Sequence, residues 1–161
     1  MSTAASFTAT CRLWHELDLL SHRVNTVLKL LDPVFYAKLE KLRELANARP
    51  FIQALHEIDV LLLEGREFLF NRKSGLHKDS HDPQLGWAVL FALGNFKGGY
   101  VHLPHLGLRV RLEPGDMVLI RGRVVQHEIE DWEGGQRISV PHFTHTSLWR
   151  EFGMEADVSV T

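Results

Sequence analysis

The chain has one cysteine, Cys11, in 161 residues. A single thiol cannot close an internal disulfide, which fits a reducing compartment, and it removes any thiolate metal cluster from consideration. Charge of neither sign dominates: 18 Lys and Arg stand against 20 Asp and Glu, for a net charge of -2 and a pI near 6.5. There is no global pull toward nucleic acid or anionic membrane, although a local basic strip stays open. No apolar run approaches the roughly 18 residues that a membrane span needs. The start, Met1-Ser2-Thr3-Ala4-Ala5-Ser6, lacks the basic residues and apolar stretch of a secretory signal. These absences predict a soluble intracellular protein, cytosolic or nuclear, without a membrane partner. Internal repeats and low-complexity tracts are missing as well. With 45% hydrophobic residues, the chain suffices for one domain, 1–161, with a sizeable core, and is too short for two.

Apolar residues recur at helical spacing from Leu13 to Leu31, which predicts one helix. Asp32-Pro33 then offers an N-cap followed by proline at the first helical position, opening a second helix through Phe35, Leu39, Leu42 and Leu45. Arg49-Pro50 closes it, and Phe51 to Ile58 reads as a short third helix. Leu61-Leu62-Leu63 fits either more helix or an extended buried run. After Glu64 come short strand-like runs: Glu67–Arg72, Trp87–Leu93, Tyr100–Leu103, Leu108–Leu112, Met117–Ile120, Val124–Glu130 and Arg137–Thr144. Turn signals separate them at Asp82-Pro83, Gly98-Gly99, Pro104–Gly107, Pro114-Gly115-Asp116 and Gly134-Gly135. Helices first and short strands second predict an α+β fold, with a helical part over about 12–63 bracing a sandwich or jelly-roll core over about 64–149. The tail from Glu151 to Thr161 reads as frayed.

Against that background one constellation stands out: His77-x-Asp79, then His127, then Arg137-x-Ser139. In a strand, residues two apart point the same way, so His77 and Asp79 share a face, as do Arg137 and Ser139. Two imidazoles and one carboxylate can hold Fe(II) and leave positions open for an organic acid and O2. A guanidinium deeper in the barrel would receive a distal carboxylate through two parallel bonds, with Ser139 adding a hydroxyl. A lone strand histidine is more often structural than a ligand, and Arg137 after Gly134-Gly135 also fits a solvated hairpin. Order and context favour the site, and the leading expectation is an iron oxygenase.

Phe70-Asn71-Arg72, His77-x-Asp79, Gly86-Trp87, Gly98-Gly99, Pro104-x-Leu106-Gly107, Pro114-Gly115-Asp116, His127 and Arg137-x-Ser139 carry a family likeness. Together they resemble the 2-oxoglutarate and Fe(II)-dependent oxygenase superfamily, in particular the TET/JBP-like domains abundant in basidiomycete fungi, often in transposon-associated copies. The likeness covers roughly Leu28 to Trp149. It implies a double-stranded β-helix core, iron ligands His77, Asp79 and His127, and Arg137 on the 2-oxoglutarate carboxylate, with Ser139 and Asn71 completing that pocket. It also implies that 2-oxoglutarate and O2 are consumed to hydroxylate a C–H bond, releasing succinate and CO2, on methyl groups of nucleobases in DNA or RNA. A zinc-binding cysteine cluster and a strongly basic composition, which would target DNA, are both missing. The same chemistry on a protein or small-molecule substrate, or a silent transposon-derived binding module, are the competing expectations.

Other conspicuous residues have plainer readings. Asp82 before Pro83 reads as a turn former beside His81. His102, His105, His142 and His145 are candidates for a second metal or substrate cluster; of these only His142, near the end of the Arg137 strand, is placed to approach the site, and strand alternation turns it away from the face of Arg137 and Ser139 unless a bulge intervenes. Trp87 and Phe91 fit the core. Arg109, Arg111, Arg121 and Arg123 alternate in a way that suits either phosphate tracking or an ordinary solvated face.

Overall fold

The computed structural model describes residues 3–157, in two compact units, Met1–Leu62 and Leu63–Thr161. The first is helical: α1 (Thr3–Glu16), α2 (Asp18–Leu31), α3 (Pro33–Ala46) and α4 (Pro50–His56). Asp32 caps α3 by accepting from the Phe35 amide at 2.9 Å, with Pro33 in its first turn, as the sequence predicts. Val24 and Leu28 of α2 and Phe35, Leu39 and Leu42 of α3 are buried at helical spacing. The expected single helix over 13–31 is instead two. The Leu17 amide is shared between the carbonyls of Leu13 and Trp14 at 3.1 Å each, and Leu17 has ψ 6, which ends α1 and lets Asp18 begin α2. Leu61 and Leu62 leave the helical state. The Arg43 guanidinium donates to the carbonyls of His56, Asp59, Val60 and Leu61 at 2.6 to 2.9 Å, satisfying backbone that no ladder pairs.

The second unit is antiparallel sheet. Its strands are β1 (Gly65–Arg66), β2 (Leu69–Phe70), β3 (Ala88–Gly98), β4 (Val101–Leu103), β5 (Leu108–Val110), β6 (Met117–Ile120), β7 (Glu128–Ile129) and β8 (Trp132–Phe143). One sheet runs β1-β8-β3-β6, with β2 also on β8, and the other runs β5-β4-β7. Ala92 and Phe96 of β3 bury against Val101 and Leu103 of β4 and Ile129 of β7, so the core lies between the sheets. Helices followed by antiparallel sheets is the expected order.

Gly134-Gly135 is not the turn its composition suggests. β8 runs through it and pairs with β3 from Val89↔His142 to Gly98↔Trp132, with a bulge between Gly94 and Phe96. Gly94 has φ 115, and a Cβ there would lie 2.0 Å from the Gln136 carbonyl oxygen, so glycines on both strands permit the close approach. The expected strand at Val124–Glu130 begins as a turn, since the Val124 and Val125 amides both donate to the Arg121 carbonyl, and it pairs from His127, which bridges His77, through β7. The tail is ordered further than composition suggests. α5 (Thr146–Glu151) buries Trp149, whose indole donates to Thr144 Oγ1 at 2.7 Å, and Asp157 accepts from the Leu85 amide at 2.8 Å. Residues 158–161 of that expectation lie outside the described residues.

Candidate metal centre

His77 and His127 face each other across an isolated antiparallel bridge, each amide donating to the other's carbonyl at 3.0 Å. Directly paired residues project from the same side of a ladder, so the two rings meet with centroids 4.3 Å apart. Asp79, two residues on, returns to that side, and its amide donates to the Gly122 carbonyl at 2.9 Å. Its Oδ1 lies 3.4 Å from His77 Nε2 and its Oδ2 3.8 Å from His127 Nε2. One atom from each residue falls within 4.8 Å of the others, and this is the group of metal-ligating side chains so placed among the described residues.

The histidines are held in the tautomer a cation needs. His77 Nδ1 is 2.7 Å from the Gly75 carbonyl and His127 Nδ1 is 3.0 Å from the Val125 carbonyl. A carbonyl only accepts, so each Nδ1 carries the hydrogen and each Nε2 presents its lone pair toward Asp79. Gly122 was not singled out by sequence. A Cβ there would sit 1.8 Å from Asp79 Oδ2, so the missing side chain is the space that the carboxylate occupies. Gly122→Ala should therefore keep the fold, because the backbone there is ordinary, and lower Mn(II) affinity by about tenfold or more, the scale on which supports of metal ligands act. Titration of the variant followed by electron paramagnetic resonance checks this, and wild-type affinity would show that the carboxylate is seated otherwise.

A cavity of about 710 Å³ opens over the triad, bordered also by Ser139, Pro141, Phe143 and His145. Arg137, at the next same-face position of β8, is only 1% exposed. Its Nη1 donates to Ser139 Oγ, while Nε and Nη2 find no partner among the described residues. Phe96 and Trp132 flank the guanidinium at 5.2 and 5.4 Å, and a Cβ on Gly99 would come 3.0 Å from Nε. Burial lowers its pKa from the usual guanidinium value. A buried cation with two orphaned donors is costly unless something anionic completes it. That donor set fits a carboxylate of a dicarboxylic cosubstrate.

Asn71 is placed differently from the other candidates. It has φ 50, its Oδ1 accepts from the Arg137 amide at 2.8 Å, and its own amide donates to the Arg137 carbonyl at 2.8 Å. Asn tolerates this left-handed conformation better than most residues. It clasps the backbone of Arg137 and does not border the cavity, so its bearing on the pocket runs through that arginine.

Asp82 is more than a turn former. Its amide does close a turn onto the Asp79 carbonyl, but its carboxyl is buried at the cavity 3.9 Å from His145 Nε2. Burial pushes it up to about 7, the neighbouring Asp79 adds to the rise, and Arg123 opposes it. The four further histidines form no second cluster among the described residues, and His145, not His142, is the one at the cavity. His102 pairs with Glu128 at 2.8 Å, His105 is exposed, and His142 is buried on the other face of β8 with Nδ1 on the Val89 carbonyl; only His145 reaches the cavity. The alternating arginines are engaged too. Arg109 grips Glu130 at 2.7 and 2.6 Å, Arg111 pairs with Glu113 at 3.5 Å, Arg121 covers Trp87, and Arg123 donates to the Ser80 carbonyl.

Antiparallel sheets that carry a His-x-Asp…His facial triad over a cavity define a 2-oxoglutarate and Fe(II)-dependent dioxygenase domain. The chain belongs to the Tet_JBP family, the oxygenase domain of the 2OGFeDO superfamily, which it matches over residues 2–146. Among curated proteins it is similar to Tet-like dioxygenase 1 of Naegleria gruberi, 32% identical over 71 residues, 43% of this chain and 22% of that protein. Among solved structures it has the fold of NgTET1 in complex with 5mC DNA, with TM-score 0.67 and 21% identity over 83% of this chain and 51% of that one. The chain thus spans about a fifth of the curated relative and about half of the solved chain. Among the described residues no helix is long and apolar enough to cross a membrane.

Proposed function

We propose that residues 1–161 act as one oxygenase domain that oxidises the methyl group of a methylated base in DNA, with Fe(II), 2-oxoglutarate and O2. One observation carries the chemistry: three convergent ligand atoms at a cavity whose adjoining strand buries an arginine with two unsatisfied donors. Iron, 2-oxoglutarate and O2 together supply the oxidation of a C–H bond. The protein's share is positioning. His77, Asp79 and His127 hold the metal from one side, and Arg137 and Ser139 fix the cosubstrate's distal carboxylate, with Asn71 holding the Arg137 backbone.

Support for a base as substrate comes from the rest of the cavity. Its volume of about 710 Å³ lies within the roughly 300–1,000 Å³ of small-ligand sites and suits a cosubstrate plus one extruded base rather than a stacked pair. The buried Asp82 carboxyl and, 3.9 Å from it, the His145 Nε2 ring nitrogen are polar groups of the cavity wall. Such a pair matches the mixed donor and acceptor edge of a pyrimidine. The structural neighbour NgTET1 was solved with 5mC DNA.

The test is succinate release from 2-oxoglutarate under Fe(II), with oligonucleotides carrying 5-methylcytosine or thymine, unmodified DNA, methylated RNA and free nucleosides. Methylated DNA should stimulate turnover above every other addition. Methylated DNA that neither binds at low salt nor stimulates succinate formation would move the activity to a protein or small-molecule substrate.

A further inference from the structure

The segment that delivers His77 and Asp79 also borders the cavity mouth, and its outward side chains have no role in holding metal. Arg72 and Lys78 are exposed along the cavity and carry no ion pair among the described residues, unlike Arg109, Arg111 and Lys73. Between them Leu76 is 48% exposed. Leu76 and Lys78 border the same cavity as the ligands His77 and Asp79, at its outer edge. The segment is pinned at three points: the Asn71 amide on the Arg137 carbonyl at 2.8 Å, the Ser74 carbonyl on the Ile129 amide at 3.0 Å, and the His77–His127 pair. The backbone that carries Leu76 is therefore held by the same bridge that seats two metal ligands. Leu19 and Leu30, also exposed, lie on α2 away from the cavity lining, whereas Leu76 borders the cavity between the exposed Arg72 and Lys78.

We propose that the strap Arg72–Lys78 is the edge that engages a DNA duplex, with Arg72 and Lys78 on phosphates and Leu76 wedged into the base stack beside the extruded base. The proposal rests on the methylated-base reading above. A base can reach the triad only out of the stack, and extrusion leaves a gap that an apolar side chain fills without needing hydrogen-bond partners. Cations on either side of the wedge match the phosphates that flank such a gap. A wedge already fixed in position loses little freedom on binding.

Oxidation of 5-methylcytosine by protein loaded with Fe(II) and 2-oxoglutarate is measured in a paired duplex and in the same strand alone. Leu76→Ala should lower the duplex-to-single-strand rate ratio at least tenfold, and Leu76→Ile should restore most of it. The ratio is its own control for folding, and Leu76 is exposed enough that its truncation leaves no buried void. Arg72→Ser with Lys78→Ser should weaken duplex binding and reduce the slope of log K against log salt by about 1.8, two phosphates at roughly 0.9 each. A wild-type rate ratio in Leu76→Ala, an unchanged salt slope in the double variant, or a wild-type preference for RNA over duplex DNA overturns the assignment and leaves oxidation of a methylated base standing. Absence of oxidation in either DNA by wild type, with succinate still formed from 2-oxoglutarate alone, sinks the base reading and the wedge with it.

Discussion

Asp79→Ala is expected to lose at least about 100-fold in affinity for Fe(II) or a Mn(II) surrogate, since even outer-shell partners of ligands are worth 10- to 100-fold. Without metal, the Asp79 carboxylate lies beside the buried Asp82 carboxyl and helps to raise the latter's pKa, so its removal should not destabilise the apo protein. The Asp79 amide keeps its bond to the Gly122 carbonyl whatever the side chain. With metal, the two proteins should diverge. A ligand at about 100 times its Kd stabilises the wild type by about 2.7 kcal/mol, and the variant should gain almost none of this. Thermal melts with and without Mn(II) check both halves. Equal metal-induced shifts in variant and wild type would remove Asp79 from the metal site.

What was legible in the sequence follows the strong local signals. Asp32-Pro33 specifies a cap, and the β6 run Met117–Ile120 appears where its turn residues bound it. Period two placed His77 with Asp79 and Arg137 with Ser139, because alternation is fixed by backbone geometry alone. The misreadings arise where two distant segments decide. Gly134-Gly135 has the composition of a turn, yet it lies opposite the Gly94–Phe96 bulge of β3, where Gly134 pairs with Phe96, and that distant pairing makes it part of a bulged strand. Gly122 matters through the absence of an atom beside Asp79, which no motif records. Asp82 does close the turn that its sequence announces, but its burial beside His145 depends on how β8 runs into α5. The alternating arginines found carboxylate, aromatic and carbonyl partners, so alternation alone did not distinguish phosphate binding from ordinary surface pairing. Asn71, expected to complete the cosubstrate pocket, clasps the Arg137 backbone through its left-handed conformation and amide side chain.

Arg137→Lys should raise the Kd for 2-oxoglutarate more than tenfold, about 1.4 kcal/mol, with Mn(II) affinity unchanged. The charge survives this substitution. What is lost is a planar fork that already has one donor on Ser139 and two more awaiting acceptors. A companion variant separates binding from stability. Arg137 is fully buried between Phe96 and Trp132 with Nε and Nη2 unsatisfied, and each such donor costs about 1–3 kcal/mol in the fold without ligand. Arg137→Met fills similar space without charge, so the apo protein should melt at or above the wild-type temperature, as apolar replacements of buried charges often do. The same variant should show no 2-oxoglutarate binding by calorimetry with Mn(II) present, and no stabilisation by 2-oxoglutarate. Opposite signs for apo stability and cosubstrate affinity are the signature of a charge kept for its ligand. A large loss of apo stability in Arg137→Met, with 2-oxoglutarate still bound, would make this arginine a structural element and place the anchor elsewhere.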